Sequence, residues 1–166
     1  MKTTLWMALA LGLAFSPARA ADSAHRLGGG ANYWTAIDDI DVDDVDEDGF
    51  SYFVSYQYRP TLLGLEADVE FLPDRFGEDA IAPAAYLILG QAIYAAAGVG
   101  ILHVDGEWAD DPFFALKAGL DLEFLPHLFL DVSASYRFDP ETELEDAIDA
   151  IDTDTVFLGA AVRLGF

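Results

Sequence analysis

The segment from Thr155 to Phe166 alternates strictly between two kinds of side chain. Counting back in twos from Phe166 gives Leu164, Val162, Ala160, Leu158 and Val156; the other parity gives Gly165, Arg163, Ala161, Gly159, Phe157 and Thr155. Successive side chains of an extended strand leave on opposite faces, so one face here is wholly apolar and the other carries a charge. Such a strand divides two unlike environments. Further segments at about 25–36, 50–60, 62–72, 80–90, 91–103, 112–125 and 127–138 read as strands too. Most are near the ~9–11 residues that a tilted strand needs to cross a bilayer.

The parity is clearest in three of them. Leu63, Leu65, Ala67, Val69 and Phe71 oppose Gly64, Glu66, Asp68 and Glu70. Phe114, Leu116, Ala118, Leu120, Leu122 and Phe124 oppose Phe113, Ala115, Lys117, Gly119, Asp121 and Glu123. Leu128, Leu130, Val132, Ala134, Tyr136 and Phe138 oppose His127, Phe129, Asp131, Ser133, Ser135 and Arg137. No charge strays onto an apolar face, which is what a lipid-facing wall demands, because Lys or Arg at the bilayer midplane costs about 2–4 kcal/mol. In the first strand Arg26, Gly28, Gly30, Asn32 and Trp34 share the inward parity, and in the second Phe53, Ser55, Gln57 and Arg59 do. Residues 80–103 are rich in Ala, Gly, Ile and Leu on both parities; Tyr94, Ala96, Gly98 and Gly100 are assigned inward, and Pro83 with the glycines argues against a buried helix.

Residues 1–20 read as a cleaved signal peptide. Lys2 supplies the positive start, Leu5 to Phe15 a short apolar run, and Ala18-Arg19-Ala20 a small-x-small cleavage site. Residues 21–166 are then the barrel domain, with six basic residues (the chain's eight less Lys2 and Arg19) against 30 acidic ones, a formal charge of −24. That balance disfavours nucleic acid and anionic lipid head groups as direct partners, and suits cations or a high-salt setting. The absence of cysteine excludes disulfides and thiolate chemistry. Because 53% of the chain is hydrophobic, it is no disordered acidic tail.

Three connections are tight: Arg59-Pro60-Thr61, Gly90-Gln91 and Leu125-Pro126-His127. The others, around 37–49, 73–79, 104–111 and 139–154, are longer and crowded with Asp and Glu. Short turns at one rim and long loops at the other predict an all-β, eight-stranded, antiparallel up-and-down transmembrane barrel, with periplasmic turns and acidic extracellular loops. The strand count, the loop asymmetry, the Tyr94–Gly100 stretch and the terminal Phe166 resemble the small outer-membrane barrels of the OmpA transmembrane domain and OmpX group. The resemblance covers residues 25–166. It implies outer-membrane lipid as the surroundings, and a barrel-insertion machinery that reads Leu164 and Phe166 as its signal, although Ala161 stands where that signal usually has glycine. The aromatics sort by depth as two girdles: Tyr33, Tyr52, Phe71, Phe114, Tyr136 and Phe138 near the long loops, Tyr58, Phe124 and Phe166 near the short turns.

An eight-stranded barrel is wide enough only for its own side chains. Inward parity gathers Arg26, Arg59, Lys117, Arg137 and Arg163 with Glu66, Asp68, Glu70, Asp121, Glu123 and Asp131. Buried charges have to be paired, so a lumen plugged by ion pairs is expected rather than a pore. Asp121 and Asp131 should face each other across the 125–127 turn, with Arg163, Lys117 or Arg137 bridging them.

The first long loop carries Asp44-Val45-Asp46-Glu47-Asp48-Gly49, the first half of an EF-hand loop. Its twelfth position is Ser55 rather than Glu, which leaves at most weak calcium or magnesium binding by Asp44, Asp46 and Asp48. In the fourth loop Asp139 and Pro140 could start a short helix with Leu144, Ile148 and Ile151 on one face. The three histidines, His25, His103 and His127, lie at the rims with no serine placed beside them as a nucleophile, so no catalytic residue is assigned. The expected protein is a monomeric, non-enzymatic outer-membrane barrel with an envelope-structural or surface-interaction role and no cofactor. Its rivals are a soluble exported carrier of the lipocalin kind, with the parity inverted, and a divalent-cation-binding surface barrel.

Overall fold

A computed structural model describes residues 24–36, 48–75, 78–104, 106–138 and 155–166. The signal segment 1–20, Asp44, Asp46 and the fourth-loop helix lie outside the described residues. Eight long strands form the wall: β1 (His25–Ala36), β2 (Asp48–Tyr58), β3 (Leu63–Arg75), β4 (Glu78–Gly90), β5 (Ile93–Gly100), β8 (Phe113–Leu125), β9 (Leu128–Phe138) and β10 (Thr155–Gly165). Each is antiparallel to its neighbour, and β1 pairs with both β2 and β10, so the sheet closes on itself. At the seam Phe166 donates its N–H to the His25 carbonyl at 2.9 Å, and the His25 N–H returns a bond to Phe166 at 3.3 Å. Closure removes the unpaired edges that an open sheet would present.

The wall faces the way its parity dictates. Leu120, Val132 and Leu164 are 47%, 51% and 56% exposed on the outside, whereas Asp121, Asp131 and Arg163 are buried. The inverted arrangement that a soluble carrier needs is therefore not the one found. The assignment of Tyr94, Ala96, Gly98 and Gly100 to the inside of β5 holds: Tyr94 and Ala96 are buried while Ile93 and Val99 are exposed. Gly98 and Gly119 have a packing reason. The Tyr86 ring lies across Gly98, and a Cβ on Gly119 would meet the Tyr94 ring at 2.8 Å.

Three boundaries differ from the sequence expectation. β3 continues to Arg75 and β4 begins at Glu78, so most of the connection expected at 73–79 is strand, paired across an irregularity between Leu72 and Arg75. The stretch expected as one strand over 91–103 ends its pairing with β8 at Gly100, and β6 (His103–Val104) instead extends along β4, opposite Ile81 and Ala80. β6 folds back as a hairpin with β7 (Glu107–Trp108) through Gly106, whose φ of +87° suits glycine. Asp105-Gly106 between short apolar stretches is a hairpin turn signal that reading 104–111 as loop overlooked. Likewise His127 is not a strand residue; it takes φ +64° in the turn, and β9 starts at Leu128.

The exposed aromatics include Tyr33, Tyr52, Phe71 and Phe114 towards the long loops, and Tyr58, Phe124 and Phe166 towards the turns. Tyr33 packs edge-on against Phe50 at 5.5 Å, and Phe114 stacks on Phe138 at 5.9 Å. Val132→Arg, which puts a charge midway along this apolar wall, is expected to cost about 2–4 kcal/mol. Urea unfolding from phospholipid vesicles measures it, with Val132→Leu as the silent control.

Candidate functional site

The inward face concentrates the charged chemistry of the described residues, and its ion pairs run as a ladder along the barrel. At the short-turn end Asp121 accepts from both Arg26 and Arg59. The Arg26 guanidinium lies 3.7 Å from the centre of the Phe129 ring. Arg59 also donates to the Gly90 and Gln91 carbonyls, at 3.0 and 2.7 Å, tying the β4–β5 turn to the β2 terminus.

In the middle, Arg163 reaches two carboxylates, Glu66 at 3.1 Å and Asp131 at 3.2 Å, and its Nε donates to Ser55 at 3.1 Å. Glu66 accepts from Gln57 as well, at 3.1 Å. Lys117 sits between Glu66 (3.7 Å) and Asp68 (3.8 Å), over the Tyr86 ring at 4.1 Å. Nearer the long loops Glu70 accepts from Arg137 and Ser51, both at 2.5 Å, and from Asn32 at 2.6 Å.

Above that layer the lumen turns apolar. Trp34, Leu72, Phe113 and Phe157, all near the long-loop ends of their strands, are at most 1% exposed and belong to one hydrophobic cluster with Ala80, Ala82 and Ala115. Arg137 sits against this layer with its guanidinium 4.2 Å from the Phe113 ring and 4.3 Å from the Phe157 ring. Its Nε and Nη1 have no hydrogen-bond partner among the described residues, and the ring faces take that place. Parity pointed to the ion pairs but not to this aromatic layer. The signal was present, since Trp34, Phe113 and Phe157 break the polar parity of three strands at the same end.

Ten of the eleven expected charged residues are brought together: five bases, Arg26, Arg59, Lys117, Arg137 and Arg163, and five acids, Glu66, Asp68, Glu70, Asp121 and Asp131. Glu123 is the exception. It has the inward parity but lies at the end of β8, exposed, where its carboxylate accepts the His127 N–H at 2.9 Å and braces the turn. A strand's last turn of parity lies beyond the mouth of the barrel, so facing inward there does not mean burial. Without Glu123 the formal lumen charge is balanced.

Asp121 and Asp131 are indeed opposite each other in register. Among the described residues no base is within salt-bridge distance of both: Arg163 takes Asp131, while Arg26 and Arg59 take Asp121. Bases from β1 and β10, and Arg59 just past the end of β2, approach the two aspartates from different sides.

At the long-loop end Asp48 is exposed and accepts from the Tyr33 hydroxyl at 2.9 Å. No group of three or more metal-ligating side chains occurs among the described residues. His103 packs at a tilt against Trp108, ring centres 4.5 Å apart, and His25 shares a hydrogen bond with the Tyr56 hydroxyl at 2.6 Å. Leu164 and Phe166 project from the outer wall, 56% and 61% exposed.

A closed antiparallel eight-stranded barrel with an apolar outside and a charged inside is the fold of the small outer-membrane barrels, the OmpA and OmpX-like class. The crystal structure of Neisserial surface protein A (NspA) superposes with a TM-score of 0.65 at 18% identity, over 87% of this chain and 98% of that one. The Yersinia pestis outer membrane protein Ail in phospholipid bilayer nanodiscs gives a TM-score of 0.46 at 16% identity, over 86% and 99%. No protein-family model and no curated relative matches the sequence.

Arg163→Leu takes from Asp131 its ion-pair partner among the described residues and leaves Glu66 with Lys117 alone, and losing one partner of such a buried pair is expected to cost about 3–5 kcal/mol. Glu123→Gln should leave stability unchanged. Urea midpoints of the two refolded variants decide between a ladder that depends on Arg163 and one that does not.

Proposed function

We propose that this chain is a non-enzymatic integral outer-membrane barrel whose lumen is closed by its own side chains. It acts through its acidic outward end, in envelope integrity or surface interactions. The observation that carries this reading is the segregation of charge: five bases and five acids paired inside, four of each buried, and an apolar outer wall ringed by aromatics. A wall of that polarity is unfavourable in water and favourable in lipid. In this reading the ion pairs and the aromatic layer fill the lumen against solutes, as expected of a barrel only wide enough for its own side chains. Of the chain's 30 acidic residues, 23 fall within residues 37–49, 73–79, 104–111 and 139–154 at the outward end, with Arg75 the one Lys or Arg among them. That end would attract cationic partners and repel polyanions. The weak calcium or magnesium site at Asp44, Asp46 and Asp48 is a subsidiary part of the proposal, with no resident cofactor.

Residues 1–20 serve in this reading as an export signal, and Leu164 with Phe166 as the strand signature taken up by the insertion machinery. Expression in a Gram-negative host should place the protein in the outer-membrane fraction, processed after Ala20 by intact mass. Its gel mobility should differ before and after boiling. Recovery in the periplasmic extract with unchanged mobility would overturn the proposal. In planar bilayers the barrel is expected to add no conductance above background. Deleting Phe166 should lower the folded outer-membrane fraction several-fold and leave synthesis unchanged, as immunoblots of membrane and whole-cell samples would show.

A further inference from the structure

The outer wall is not uniformly convex. A groove of about 650 Å³ crosses β2 to β5. Its origin is the register of two neighbouring rows. One runs Tyr56–Ala67–Ala85–Val99, and the other Tyr58–Leu65–Leu87–Ala97. The three alanines form a low floor between larger side chains. Tyr58 ends β2 at the short-turn rim, whereas Ala97 and Val99 lie well up β5, so the groove climbs obliquely from that rim into the wall. At its lower end the Tyr56 hydroxyl bonds His25, and the His25 and Tyr58 rings lie 4.9 Å apart.

We infer that this groove holds one acyl chain of a phospholipid, whose headgroup sits against Tyr56, Tyr58 and His25. The inference rests on the outer-membrane reading above. Apart from Glu66, whose carboxylate is bonded inside the lumen, every residue lining the groove is uncharged, which fits hydrocarbon and no ionised ligand. The polar atoms gather at one end, two phenol hydroxyls and an imidazole at the interfacial rim, where a lipid carries its ester and phosphate oxygens. A linear chain bearing one polar end has that same distribution.

A second copy of the barrel fits worse. The groove is concave on a convex wall, so two copies related by a twofold axis would face groove to groove and enclose a void, forfeiting dispersion contacts. The strip is also far smaller than the ~1,200 Å² that a specific protein–protein interface buries. A flexible chain follows the oblique path without that mismatch.

The test is native mass spectrometry of the barrel refolded into phosphatidylethanolamine vesicles and released into mild detergent. Wild type should retain one phospholipid. Ala85→Leu fills the floor and should lower the retained fraction about ten-fold, the factor set by about 1.4 kcal/mol of lost contact. Ala67→Val serves as an independent filling variant, and Tyr56→Phe with Tyr58→Phe should weaken retention while leaving the floor open. Ala160→Leu, the same enlargement on the outer face of β10, should retain lipid as wild type does. Equal retention in Ala85→Leu and Ala160→Leu, or a lipid-free dimer in place of the adduct, overturns the inference. Heat-modifiable mobility of each sample separates the two levels. A wild type without it sinks the membrane reading itself, whereas a folded barrel lacking lipid sinks only the groove.

Discussion

Ionised side chains inside a narrow barrel have no bulk water to solvate them, so each must meet an opposite charge or a polar neighbour. The rest of this structure follows from that constraint. Arg163 supports two carboxylates, Glu66 and Asp131, while Asp121 serves two guanidinium groups, Arg26 and Arg59. Sharing of this kind ties six strands, β1, β2, β3, β8, β9 and β10, through the centre of the barrel as well as around its wall. Ion pairs of this sort need not make a fold more stable than apolar packing would. Their effect here is to leave the outer wall free of charge.

The lumen is graded along its axis. Arg26, Arg59 and Asp121 hold the short-turn end, Lys117 and Arg163 the middle, and Arg137 meets an aromatic layer of Trp34, Phe113 and Phe157 at the long-loop end. Arg137 joins the two regimes, with Glu70 on one side and ring faces on the other. Glycine supports the same packing, because Gly98 and Gly119 leave room for the Tyr86 and Tyr94 rings to lie across the wall's inner surface.

The outer wall follows a different economy. Its contacts are with whatever surrounds the barrel, so small residues there cost little cohesion and can shape a surface. Ala67, Ala85 and Ala97 do so between Leu65, Leu87 and Val99, with the aromatic rim of Tyr56, Tyr58 and His25 at the low end. The same rim closes the barrel, because the His25 ring stacks on Phe166 at 5.9 Å and its backbone pairs with that residue. The terminal aromatic, the first strand and the mouth of the groove thus form one cluster.

The number and order of the eight wall strands and the separation of their two faces were legible in the sequence, because a period of two puts the charges on one parity. Parity alone also fits an inverted barrel, and it was the loop asymmetry and the depth-sorted aromatics that turned the charged face inward. Even β5, with its small residues on both parities, was assigned correctly from Tyr94. The pairings inside were not legible. Parity states that Asp121 faces inward but not that Arg26 and Arg59 reach it, since the stagger of a closed sheet decides which distant strands meet across the axis. Glu123 shows the same limit at the rim, where depth and not facing determines burial. The β6–β7 hairpin needed β4 beside it as a template. Sequence alone therefore determined which side of each strand is charged, through the alternation of an extended backbone. Only the tertiary structure decided which charges neutralise one another and where the wall is hollow, because both depend on the register between strands.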